Sequence, residues 1–345
     1  MAELALNAMH TWLMELGNEG RSPKTIQAYE AEVTETLSSV ASQVGVTPEA
    51  LGLARIKRDH LVAAVADFRV RPDPRFSRRP DRAPQERSPA RVSRRLAALR
   101  VFFKWCYATG RIPSDPAALL KSPKKAKRLP KALEPDTAVA VMDASIEDAR
   151  WPERDQLIVV LALTTGLRLE EMATLKVADV SGNPPSSITV IGKGNKERRL
   201  PLPEVTQEAL AVYLPTRTER LRKIGLEAGT VFVSTRPRSV GHAKDGTPVL
   251  TVEATKAGIA YVVDRVLRRM GARRPGGRVH VLRHTFATLG LRPDLRTGQP
   301  AYTLRQLQAA LGHANLATIQ VYTEVTDAEL VRAAEAHPLA RKRDS

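Results

Sequence analysis

Residues 119–136 read LLKSPKKAKRLPKALEPD. Pro123, Pro130 and Pro135 each remove a backbone donor and fix φ, so no helix or central strand runs through this stretch. Lys121, Lys124, Lys125, Lys127, Arg128 and Lys131 crowd the same segment. Such a segment buries little apolar surface and reads as a linker. A chain of 345 residues is already long for one small core. The linker therefore predicts two domains, 1–118 and 137–326, and a tail over 327–345.

The first domain reads as helical. Leu6, Met9, Leu13 and Leu16 recur at helical spacing, and Ser22-Pro23 supplies an N-cap followed by a proline suited to the first turn. Ser88-Pro89 starts another helix, with Val92, Leu96, Leu99, Phe103 and Cys106 as its apolar stripe. Arg94, Arg95 and Lys104 are read as lying off that stripe, available to phosphates. Between these helices, residues 70–90 are rich in Pro and Arg without apolar periodicity and read as a mobile basic loop. Cys106 is the one cysteine, which excludes an intrachain disulfide and a Cys-rich zinc site and leaves a small buried hydrophobe.

The second domain mixes helices with a little sheet, so the fold class is mainly α with a small β component. Helices are expected over 154–164 and 170–176, a hairpin over 187–202 and a strand over 230–234. A loop is expected over 236–250, and helices from 253 onward, interrupted around 291–302.

The net charge is +17 and the pI near 10.3. That balance speaks of a polyanionic partner, nucleic acid or an acidic membrane surface. Aromatic residues are only 4% of the chain, too few for a stacking platform for single strands. The longest apolar run, Leu157 to Leu163, is too short to span a bilayer, and the first residues do not have the pattern of a signal peptide. A cytoplasmic protein is expected.

Four motifs of the second domain carry chemistry. TTGLRLEEM holds Arg168 and Glu171, three apart, so a helix brings carboxylate and guanidinium together. GKGNKER sets Lys193 between two glycines in a turn, with Lys196 as a second candidate. HVLRHTFAT holds His280, Arg283 and His284 at spacings that put them on one side of a helix. LGHANLATIQVYTEV holds His313 and Tyr322. Taken one at a time, these are a surface ion pair, a polar turn, packed histidines and a core tyrosine. His280 and His284 have the spacing of a helical zinc pair, but no glutamate of the HExxH kind lies between them and Arg283 would set a cation beside the metal. No metal is expected, and His284 is expected to be capped or packed in the core.

Together the motifs match the needs of metal-free attack on a phosphodiester. Arginines clamp nonbridging oxygens bidentately and stabilise charge in the transition state. A tyrosine hydroxyl, with an ordinary pKa of roughly 10, serves as nucleophile once cations and a base activate it. A lysine protonates the departing oxygen.

The order and wording of these motifs resemble the tyrosine recombinase (phage integrase) family, most of all its Xer-type site-specific recombinases, over roughly residues 134–338. The front of the chain, SPKTIQAYE and SRRLAALRVFFKWCYATGRIPSDPA, resembles the family's helical, SAM-like core-binding domain. The resemblance implies Tyr322 as nucleophile, forming a 3′-phosphotyrosyl bond. It implies Arg168 and Arg283 as phosphate ligands and Lys193 as general acid. His280 would be proton acceptor or phosphate ligand, His313 a further donor, and Glu171 the group that orients Arg168. No cofactor is implied. It further implies a C-shaped clamp on double-stranded DNA, with Lys121, Lys124, Lys125, Lys127 and Arg128 along the backbone. Four identical protomers on paired recombination sites, a Holliday junction, and an accessory protein or second recombinase belong to the same expectation. Residues 327–345 would dock on a neighbouring protomer, so that removing 328–345 would weaken tetramers and spare the monomer. The helices begin within the first few residues, leaving no room for an additional arm-binding domain. A type IB topoisomerase-like enzyme and a non-catalytic DNA-binding protein on the same fold are the competing readings.

Overall fold

A strong helix start opens the second helix of the chain. In the computed structural model, the Ser22 hydroxyl accepts from the Thr25 amide at 3.3 Å and Pro23 takes the first helical position. The structure describes residues 3–72, 86–123, 132–192, 197–243, 245, 247–272, 278–293, 300–312, 327–337 and 339. Most of the 70–90 loop lies outside the described residues, as do Lys124, Lys125, Lys127, Arg128, Lys193, Lys196, His313 and Tyr322. The chain divides into two compact units, Met1–Arg128 and Leu129–Ser345.

The first unit contains α1 (Ala5–Asn18), α2 (Pro23–Val44), α3 (Arg58–Val70) and α4 (Pro89–Ala108), with two short 3₁₀ turns between α2 and α3. Its core gathers Trp12, Leu37, Leu99, Phe102, Phe103 and Cys106. Burial pushes the Cys106 thiol up to about 12, consistent with a packing role.

Arg95 corrects the helical reading of α4. It is 2% exposed. It stands three residues after Val92 and four before Leu99, so the helix turns it onto the apolar stripe and not away from it. Its guanidinium lies 3.3 Å from the centroid of the Phe68 ring. It donates to Glu32 at 2.8 Å and also to Glu35. This is a buried, paired cation, not one available to phosphate. Arg94, Lys104 and Lys121 are exposed.

The second unit is mostly helical with two small antiparallel sheets. Its elements are α5 (Pro135–Asp143), α6 (Pro152–Thr165), α7 (Leu169–Thr174), β1 (Val180–Ser181), β2 (Ser187–Ile191), β3 (Glu197–Pro201) and α8 (Glu204–Ile224). There follow β4 (Val233–His242), β5 (Pro248–Glu253), α9 (Lys256–Arg269), α10 (Arg278–Leu291), α11 (Leu304–Leu311) and α12 (Asp327–Glu335). Every residue of α6 from Leu157 to Thr165 is buried. A helix apolar on all sides belongs at the centre, and α5, α8, α9 and α10 surround it.

The strands β1, β2 and β3 form one sheet in that order. Ile188 pairs with Leu200 and Val190 with Arg198, so these four side chains share one face. Residues 236–250, expected as a loop, instead belong largely to β4 and β5, which pair as an irregular hairpin. The hairpin was hidden because β4 is exposed along nearly its whole length, so it has no buried face to impose alternation.

The described residues of the last segment pack against their own unit. Ala333, Ala334, His337 and Leu339 are all buried. The expectation that 328–345 can be removed without cost to the monomer is thereby corrected, since the segment supplies core. The His337 ring stacks on Phe286 at 5.0 Å. Its Nδ1 accepts from the Leu339 amide at 3.2 Å, so Nε2 carries the proton that faces the Phe286 carbonyl at 3.2 Å. Burial pulls this histidine down to about 4 from 6.5.

The unfolded chain thus takes up a proton that the folded one refuses, and stability is lost as pH falls from 6.5 toward 4. The full loss is about 3 kcal/mol. Urea unfolding between these limits should show that slope, and His337→Gln should flatten it. A slope unchanged in the variant would assign the effect to other groups.

Candidate active site

The site begins where α6 ends. Gly166 closes that helix in the left-handed region, at φ +63. A Cβ there would lie 2.4 Å from Phe286 Cδ1 and 2.9 Å from Leu311 Cδ2. The turn brings Arg168 to the N-cap of α7 and Glu171 to its third position. Glu171 accepts from the Arg168 amide at 2.8 Å and from Arg168 Nη1 at 2.9 Å. The pairing expected from spacing is present, but Glu171 is 7% exposed, so it is not a surface ion pair.

Glu171 holds a second guanidinium that sequence reasoning missed. Arg198, on β3, donates Nη1 to Oε1 at 3.0 Å and Nη2 to Oε2 at 2.9 Å. Burial works to raise the Glu171 carboxyl, but hydrogen bonds from Arg198 and Arg168 outweigh it and hold the group below the usual carboxylate range. The available signal was strand parity: Leu200 faces inward, so Arg198 must do so too and must find a carboxylate.

Arg283 comes from α10 and is 4% exposed. It donates to the Gly166 carbonyl at 2.6 Å and to the Leu311 carbonyl at 2.7 Å. Burial, then the charge of Arg168, pulls it down to about 10; Glu171 opposes that shift. It is a cation at neutral pH.

The three arginines share one further anchor. The last carbonyls of a helix lack intrahelical partners and carry its negative dipole end. At the end of α11, Ala310 O accepts from Arg198 at 2.9 Å, Leu311 O from Arg283 and Gly312 O from Arg168 at 3.2 Å. Three consecutive carbonyls therefore receive three guanidiniums, immediately before His313. Arg168 still presents a 35% exposed side chain, with three of its five N–H groups beyond those two bonds.

His280 and His284 lie on the exposed side of α10, while Arg283 turns inward. Their rings meet edge to face with centroids 4.6 Å apart. His284 is therefore exposed and not packed in the core, as the sequence suggested. The reason is that the inward side of α10 is taken by Val281, Leu282, Arg283, Thr285 and Phe286. Among the described residues, no group of three or more His, Cys, Asp or Glu side chains is arranged to hold a metal ion, and no helix is long and apolar enough to cross a membrane.

Gly166→Ala should disturb this centre more than its single methyl suggests. A left-handed alanine costs about 1 kcal/mol and the clash with Phe286 about 1–3 kcal/mol. Chemical denaturation should register a total loss of about 2–4 kcal/mol. A variant as stable as the parent would show that Phe286 and Leu311 yield freely.

The model of the phage integrase family matches residues 131–329, more than half of the chain. The chain belongs to the phage integrase family. Tyrosine recombinase XerD of Listeria monocytogenes is 30% identical over 330 residues, covering 96% of each chain. XerH site-specific recombinase bound to its difH substrate shares the fold at 21% identity, with a TM-score of 0.56 over 90% of this chain and 79% of that one. A lambda integrase tetramer bound to a Holliday junction does so at 16% identity and a TM-score of 0.56, over 93% and 79%. This member of the family is a site-specific tyrosine recombinase. Neither a topoisomerase nor a non-catalytic DNA-binding protein is the reading these relatives support.

Proposed function

We propose that this integrase-family recombinase cuts and rejoins double-stranded DNA at paired sites through a covalent bond to Tyr322. The Tyr322 oxygen attacks the scissile phosphorus and the bond to the 5′ oxygen breaks. The phenolic proton passes to a base, for which His280 is the candidate, and Lys193 gives a proton to the departing 5′ oxygen. Attack by a 5′ hydroxyl on the phosphotyrosine reverses the step. Because the phosphotyrosyl bond conserves the energy of the phosphodiester, rejoining calls for no nucleotide. Arg168 and Arg283 hold the nonbridging oxygens, with His313 as a further donor.

The observation that carries this reading is the anchoring of the arginines by Glu171 and by the end of α11. Guanidiniums fixed before the substrate arrives stabilise charge without reorganisation. The net charge of +17 favours a duplex as partner, with Arg94, Lys104, Lys121, Lys124, Lys125, Lys127 and Arg128 on its backbone. Four copies on paired sites and passage through a Holliday junction are the assembly proposed, by likeness to the lambda integrase tetramer. Such a substrate places the work in the cytoplasm at the nucleoid.

The test is to incubate the protein with nicked genomic DNA of its source, trap adducts with detergent and sequence the attached ends. Attachment to a 3′ phosphate at one recurring sequence, through the peptide that contains Tyr322, is expected. Attachment to a 5′ end or through another residue would end the proposal.

A further inference from the structure

Arg198 occupies a position that the sheet reserves for an apolar side chain. It pairs with Val190 in a strand whose next inward residue, Leu200, is buried, yet it carries a charge into that face. Its side chain is 12% exposed. The guanidinium spans Glu171 on one side, through two bonds, and the carbonyl of Ala310 on the other. It also packs against Gly312, where a Cβ would lie 2.9 Å from Nη1. Gly312 is left-handed, at φ +61.

Arg198 therefore touches two separate sources of the reaction's groups and belongs to the hairpin of a third. Glu171 holds Arg168. The end of α11 also receives Arg283 and leads into His313. Lys193 lies in the sequence between β2 and β3, the paired strands to which Arg198 belongs. We infer that Arg198 is a positioning residue, a fork that locks the lysine hairpin to the arginine pair and sets their relative placement. This rests on the reading of Arg168 and Arg283 as phosphate ligands and of Lys193 as the acid.

A planar fork fits this duty and an ammonium does not. Lysine supplies a point charge on a flexible stem and does not bridge the carboxylate and the Ala310 carbonyl at once. Displacement of a reacting group by about 1 Å costs about a hundredfold in rate. A merely charge-balancing residue would be replaced by lysine with little change.

The experiment uses the full-length protein and a duplex carrying the mapped site, nicked beside the scissile phosphate. Adduct formation is followed at saturating protein, and binding by gel shift, for Arg198→Ala, Arg198→Lys, Glu171→Gln and the Arg198→Ala/Glu171→Gln pair. Expected are losses of about 10- to 100-fold in the adduct rate for both Arg198 variants, with DNA affinity held within about threefold. The pair should be little slower than Glu171→Gln alone, because both changes release the same clamp. Full rescue by Arg198→Lys, or losses that multiply in the pair, would overturn the inference.

If Arg198→Ala does not fold, the lysine variant decides alone. Amide hydrogen exchange over residues 304–312 without DNA gives a second readout, expected to speed up in Arg198→Lys. Should the parent form no adduct, the proposed reaction fails. Exchange then still judges the clamp: faster exchange upholds it and unchanged exchange overturns it.

Discussion

On the proposed reaction, Tyr322→Phe is expected to leave the protein on its DNA site and to stop covalent capture. The change removes one oxygen, keeps the ring and leaves the charge at neutral pH as it was. Nothing in a phenylalanine attacks phosphorus, and removing a nucleophile outright costs on the order of 10⁴-fold or more. On the proposed reaction the arginines still hold the phosphate, so gel-shift affinity should stay within about threefold. Capture is scored on a nicked duplex, where loss of the short 5′ fragment prevents rejoining. An adduct persisting in the variant at the parent's rate would move the nucleophile to another side chain.

Arg283→Lys is the second large effect, and it separates grip from fold. Arg283 joins the end of α6 to the end of α11 through two carbonyls, at 2.6 and 2.7 Å. Lysine keeps the charge and does not span both. Loss of one transition-state donor costs about 3–4 kcal/mol, so adduct formation at saturation should fall about 10²–10³-fold. Arg283→Ala adds an unfolding penalty, because two buried carbonyls lose their donor at about 1–3 kcal/mol each. Single-turnover cleavage beside urea melts distinguishes the two changes. A lysine variant that cleaves at the parent's rate would remove Arg283 from the phosphate.

What could be read without coordinates follows the range of each contact. Arg168 and Glu171 are three residues apart on one helix, so spacing alone predicts the pair. Arg198 reaches Glu171 across 27 positions and sits in a run of charges that reads as a polar turn. The parity it shares with Leu200 marks its face, but which carboxylate it meets there is set by tertiary packing. Arg95 shows the limit of reading by residue type. Its spacing put it on the apolar stripe, and its charge argued for solvent; Phe68, Glu32 and Glu35 resolved the conflict in favour of the stripe. The β4–β5 hairpin left no trace because exposed strands need no alternation. His284 was misplaced because its spacing to His280 does not say which side of α10 faces inward, and that side is filled by Val281, Leu282, Arg283, Thr285 and Phe286.

The two cores close at different moments of synthesis. The first runs from Ala5 to Leu120, whereas the second runs from Leu133 to Leu339 and needs Ala333, Ala334 and Leu339 to finish. As the chain leaves the ribosome, the first unit has all its parts long before the second does. A product terminated ahead of residue 339 carries a finished first unit beside an open second one. Premature stops within the last helix are therefore folding lesions of the whole second unit, whatever they do to assembly.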